Sequence, residues 1–244
     1  MNKLALTTII VGAALAISAK PAYAAEIEGQ DSEVGIRFDT NGPVQPGPGP
    51  YKDNLSMAWT PSKFNFGKQE AVAKIATYNN MTPGEQYIVV NDDREGAPED
   101  EGGKTKAETK TKTSAWKVTA KMSKLVSKDN STTELPAKLM FSLDKAQAYD
   151  IGDVDPDTND YLPNVIEGNL SPLPDPNNIE VGTDISLEAG NTTGTKIIAK
   201  TKEDTMQGGF ATKLSKVKLV VTSSEKAAGK AFKGSVTWSL DNTY

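Results

Sequence analysis

Residues 116–123 alternate strictly between apolar and polar: Trp116, Val118, Ala120 and Met122 against Lys117, Thr119, Lys121 and Ser123. Successive side chains of a strand point to opposite faces, so a period of two predicts a strand with one face buried and the other in water. The same alternation runs through Val236, Trp238 and Leu240; Leu55, Met57 and Trp59; Leu139, Phe141 and Leu143; Ile185 and Leu187; and Val217, Leu219 and Val221. The short runs at 87–90 and 196–199 predict strands buried on both faces. No long stretch keeps apolar residues at helical spacing without Gly, Pro, Asn or Thr intervening, and the best helical candidate is a short turn over 224–231. The pattern predicts an all-β chain of roughly eight to ten strands.

Three breaks punctuate it. Residues 42–50 read GPVQPGPGP, a stiff connector of polyproline character. Residues 92–113 are almost wholly charged or small, acidic first and then alternating Lys and Thr, which predicts a solvated, mobile loop. Residues 153–178 hold Pro156, Pro163, Pro172, Pro174 and Pro176 among many Asp and Asn residues, an irregular excursion. No fixed-period repeat points to a solenoid or propeller, and crossover helices for a parallel sheet are missing. The expected architecture is one antiparallel β-sandwich or Greek-key barrel with long Pro-rich and charged loops.

The first residues read as an address. Lys3 precedes an apolar and small run over 4–19, then Lys20-Pro21 and Ala22-Tyr23-Ala24, the order of a secretory signal with cleavage after Ala24. That run is shorter than the ~20 residues a spanning helix needs, and no second apolar stretch follows, so no membrane span is expected. The domain then covers 25–244. Lys3 and Lys20 leave with the signal, so 25 basic residues face 32 acidic ones, a net charge of −7. Nucleic acid binding needs a concentrated basic footprint, so that partner is not expected.

The chain has no cysteine and no histidine. Disulfides, lipid attachment through a thiol, Cys or Ser-His nucleophile systems and ordinary zinc or copper sites are excluded. A secreted protein without disulfides has to be stabilised by the size of its core, which suits a large sandwich.

Several motifs occur in order: Val34-Gly35-Ile36-Arg37-Phe38, then Phe64-Asn65-Phe66-Gly67, then Trp116-Lys117-Val118-Thr119-Ala120. They are followed by Gly208-Gly209-Phe210, Val217-Lys218-Leu219-Val220-Val221 and Ser235-Val236-Thr237-Trp238-Ser239-Leu240. This order resembles the WxL-domain surface proteins of low-GC Gram-positive bacteria, over nearly the whole mature chain. The resemblance implies a secreted, non-enzymatic protein held non-covalently to peptidoglycan or another wall polymer at the cell surface, beside wall-anchored partner proteins. Two features depart from the family pattern. The first triplet carries Val118 in place of leucine, and the last residues are Asp241-Asn242-Thr243-Tyr244 in place of Asp-Ala-Pro.

Candidate site residues carry two readings each. Trp116, Val118, Trp238 and Leu240 are in phase with apolar neighbours and read as core; alternatively an indole stacks on a sugar ring. Lys117, Lys121 and Lys124, with Lys213, Lys216 and Lys218, form a basic patch for anionic wall polymers if their faces adjoin; otherwise they keep the sheets soluble. Asp153, Asp155, Asp157 and Asn159 alternate as in a calcium loop, but the sixth and twelfth positions hold Thr158 and Asn164 where Gly and Glu are needed, so an Asx-rich turn is expected and no cofactor. No carboxylate pair lies in surroundings that would raise one pKa, which leaves a wall-active hydrolase as the minority reading. An adhesin using the loops at 92–113 and 153–178 is the other alternative.

Overall fold

The computed structural model describes residues 26–35, 42–72, 74–94, 97–98, 111–203, 206–224 and 227–242. The predicted signal at 1–24 lies outside them, as do Ile36 to Phe38 of the first motif and most of the charged segment.

The first sheet is built around the two tryptophan-bearing strands. β9 (Trp116–Met122) and β21 (Phe232–Asp241) pair antiparallel, with Val118 opposite Leu240 and Ala120 opposite Trp238. On its other edge β21 carries β1 (Glu26–Gly35), which pairs parallel with β4 (Lys63–Phe64). β9 continues outward to β19 (Thr195–Lys200) and β17 (Ile179–Val181). β10 (Leu125–Ser127) prolongs the line of β9 along β21 and adds β11 (Glu134–Leu135).

The spine of the second sheet is β20 (Gly208–Val221). Its first half lies between β6 (Tyr87–Asp92) and β13 (Gln147–Tyr149), its second half between β12 (Ala137–Leu143) and β5 (Ala76–Asn79). β3 (Leu55–Pro61) and β2 (Val44–Pro46) follow β6, β16 (Leu170–Pro172) follows β13, and β18 (Ile185–Glu188) follows β12. Two small hairpins stand apart: β7 (Ala97–Pro98) with β8 (Thr111–Lys112), and β14 (Val154–Asp155) with β15 (Asp160–Tyr161). The two sheets bury one main core between them, joining Phe64, Trp116 and Trp238 of the first to Ile88, Phe141 and Phe210 of the second. The chain is therefore an antiparallel β-sandwich, with more strands than the alternation predicts because its edges are finished by two- and three-residue pieces.

Two bulges reset the phase of the alternation. In β20, Lys218 faces Met140 but Ser215 faces Ser142, so one extra residue is inserted, and Lys216 takes a positive φ of 54°. Phe210 and Leu214 before the insertion and Leu219 and Val221 after it then all reach the core, although they fall in opposite phases. In β3, Met57 faces Val90 and Trp59 faces Val89, again two residues against one. Leu55 and Met57 stay in the main core, whereas Trp59 joins a second apolar cluster with Ala58, Val89, Tyr149 and Ala211. The simple alternation expected for Leu55, Met57 and Trp59 is broken at this point.

The connector at 42–50 is partly a strand, since β2 forms in its middle at the sheet edge, where proline is tolerated. Gly47 donates its N–H to the Ala58 carbonyl at 3.0 Å, and a Cβ there would lie 1.7 Å from the Met57 carbonyl oxygen, so only glycine allows the approach. Around 224–231 the described residues form turns, with Ala227 N–H bonded to the Ser224 carbonyl and Lys230 N–H to that of Ala227. One 3-10 turn, Pro176–Asn178, is capped by Asp175 in the proline-rich excursion. Among the described residues no helix is long and apolar enough to cross a membrane.

Candidate functional site

Trp116, Val118, Trp238 and Leu240 share the inward face of two adjacent strands, and each is 0% exposed. The Trp116 ring lies 5.7 Å from Phe210 across the sandwich, tilted by 44°. Trp238 meets Phe141 edge-on at 6.1 Å and Phe64 at 6.5 Å. Centroid separations of this size suit the ring quadrupoles, and each indole contributes mostly by the area it removes from water. The Trp116 Nε1 is buried and meets no acceptor.

The lysines do not come together. Lys117 and Lys121 alternate with the buried residues of β9 and occupy the outer surface of the first sheet, where Lys117 pairs with Asp241 at 3.5 Å. Lys124 pairs with Glu134 at 2.7 Å. Lys218 belongs to β20 in the second sheet, as do Lys213 and Lys216. Lys213 is bonded to Glu85. The expected basic patch is therefore divided between two sheets, because the strands that carry its halves are not neighbours.

Asp155 closes an Asx turn, accepting from the Asp157 N–H at 2.7 Å, and Asn159 takes a positive φ of 57°. Asp160 accepts from the backbone N–H groups of Tyr51, Lys52 and Tyr161, tying this hairpin to the connector. Among the described residues no group of three or more acidic side chains is arranged to hold a metal ion.

Two constellations escape the alternation argument. The first is buried. Lys200 stands opposite Trp116, so it points into the sandwich and is 0% exposed. Its Nζ donates to Thr113 Oγ1 at 2.5 Å and to the Met206 carbonyl at 3.0 Å, and lies 3.7 Å from Asp92 Oδ2. Asp92 also accepts from Thr113 Oγ1 at 3.0 Å and from the Arg94 guanidinium at 2.7 and 2.9 Å. Both ends of the segment expected to be a solvated loop, Asp92 and Thr113, are thus held in the interior by paired charges.

The second is the outer face of the second sheet. Trp59 donates its indole N–H to Tyr149 Oη at 2.9 Å, and the Tyr149 hydroxyl donates to the Asn164 carbonyl at 2.5 Å. Burial pushes the Tyr149 hydroxyl up to about 12 despite the Trp59 bond, which acts the other way. Tyr87 is also pushed up to about 12, first by burial and then by its bond to Glu85. Glu85 is held below the usual carboxylate range by its bonds from Lys213 and Tyr87. A general acid for glycan hydrolysis needs a shift in the opposite direction. The nearest sequence signal is Trp59 itself, but the alternation assigns it to the main core. An apolar cleft of about 440 Å³ between Phe66, Leu125, Leu219 and Phe232 is lined by no residue of the two tryptophan triplets at 116–118 and 238–240.

A cysteine-free antiparallel sandwich whose paired motif strands pack their tryptophans inward is, as a class, an all-β domain with a dry core between two sheets. The model of the WxL domain surface cell wall-binding family matches residues 25–243, and the chain belongs to that family. It is thereby a cell wall-binding surface domain, of a binding family and not a catalytic one. No curated protein and no solved structure matches it.

Proposed function

We propose that this is a secreted, non-enzymatic protein that associates non-covalently with peptidoglycan after its signal over 1–24 is removed, beside wall-anchored partner proteins. The observation that carries the reading is the extent of the family match, which takes in both tryptophan motifs and nearly the whole chain. Glu85 is held low by its bonds from Lys213 and Tyr87, the opposite of what a general acid for glycan hydrolysis needs. Trp116, Val118, Trp238 and Leu240 form the scaffold of the wall-binding unit, while Lys117, Lys121 and Lys218 offer its outer surfaces separate contacts to wall polymer.

A pulldown of the purified mature protein with insoluble wall sacculi tests this. Retention well above that of an unrelated acidic secreted protein is expected, with no soluble muropeptide released. Retention no better than that control overturns wall association, and muropeptide release overturns the non-enzymatic assignment.

A further inference from the structure

The bulge in β3 turns Trp59 away from the main core and onto the outer face of the second sheet. Small residues clear a floor beneath it: Val89 and Ala211 stand opposite one another on β6 and β20, and Gly209 faces Tyr149, where a Cβ would lie 2.3 Å from the Tyr149 carbonyl oxygen. Over that floor Trp59 and Tyr149 reach towards each other from β3 and β13 and join through their hydrogen bond. Tyr87 flanks them at one end, two residues along β6 from Val89, and Tyr161 at the other; Trp59, Tyr87 and Tyr161 are each partly exposed. Trp59 is the one partly exposed tryptophan of the three in the chain, since Trp116 and Trp238 are fully buried.

The rim around these rings is mainly acidic. Glu85, Asp144 and Glu167 act on Tyr87, while Asp93, Asp53 and Asp160 act on Tyr161. Lys213 is already engaged by Glu85. Carboxylates accept hydrogen bonds from hydroxyl and amide N–H groups but repel phosphate and other anions. Aromatic faces accept the apolar face of a pyranose ring or an acetyl methyl. Rings over a small-residue floor, framed by acceptors of negative charge, complement an uncharged sugar chain and disfavour a polyanion.

We propose that this face, centred on Trp59 with Tyr87 and Tyr161, binds an uncharged chain of N-acetylated hexoses. The proposal rests on the wall-association reading only for the source of that chain, the glycan backbone of peptidoglycan. The contact is then separate from the tryptophan motifs and from the lysines, and anionic wall polymer is not its ligand.

Because the other two tryptophans are buried, quenching of the mature protein by neutral acrylamide, which the acidic rim does not repel, reports chiefly Trp59. Titration with β-1,4-linked N-acetylglucosamine oligomers should protect that fluorescence saturably, while a soluble teichoic acid should not. Trp59→Ala should remove the quenchable signal, and by calorimetry it should weaken oligomer binding about tenfold or more. Tyr87→Ala, at a partly exposed ring, should weaken binding while the protein still melts as a folded domain. Absence of protection in the wild-type protein overturns the proposal without reference to any variant, as does protection by the teichoic acid alone. Sacculus pulldowns run alongside separate the two readings. Sacculi retained with no oligomer binding leave wall association standing and overturn this site, whereas oligomer binding without sacculus retention supports the site and overturns wall association.

Discussion

Trp116 and Phe210 meet across the sandwich with ring centroids 5.7 Å apart, one from each sheet. Their contact ties the first tryptophan strand to the spine of the opposite sheet. Trp116→Ala should therefore destabilise the protein by about 3–5 kcal/mol. Trp116→Phe should cost less, because the indole nitrogen has no acceptor to lose. Denaturant melts of both variants, read beside sacculus retention, check the expectation. A Trp116→Ala protein as stable as wild type would contradict the packing.

Asp92 and Lys200 give a second, sharper ordering. Asp92→Ala leaves the Lys200 ammonium fully buried among neutral oxygens and should cost about 3–5 kcal/mol. Lys200→Met should cost less, since it keeps an apolar stem and Asp92 retains Arg94. Equal losses in equilibrium unfolding would mean that Arg94 contributes nothing to the buried carboxylate.

Alkaline pH should loosen the outer face of the second sheet. Tyr87 and Tyr149 keep their protons in the folded protein to about 12, above the ordinary tyrosine value of 10.0. A folded-state pKa above the unfolded one contributes stability that is present below pH 10 and is lost as pH rises through 12. Thermal melts across that window should show a fall in stability that is shallower in Tyr149→Phe. The same variant should start from a lower melting temperature at neutral pH, because the bonds to Trp59 and Asn164 are gone.

Lys121 and Lys218 lie on different sheets, so their contributions to wall binding should be independent. The effects of Lys121→Glu and Lys218→Glu on sacculus affinity should add to within about 0.5 kcal/mol in a double-mutant cycle. A larger coupling would place both lysines on one contiguous contact.

The alternation at 116–122 and 236–240 read out both the strand type and the inward face, because the two stretches pair with each other without a register shift. It failed where one inserted residue turns the chain. Trp59 follows Leu55 and Met57 in perfect phase along the sequence, and only the pairing with Val89 reveals that it faces the other way. Lys200 was illegible for a different reason: a lysine ends the buried run at 196–199, and its partners Asp92 and Thr113 come from distant positions that read as loop. Pairing across the sandwich, and not local composition, decides such positions.

The cluster of Asp92, Thr113 and Lys200 also defines a socket. Chain leaves the sandwich just after Asp92 and returns at Thr113, with both exits fastened to the same buried ammonium. One buried ammonium therefore fixes two points of the chain that lie 21 residues apart in sequence, so a change at Lys200 is felt at both of them at once.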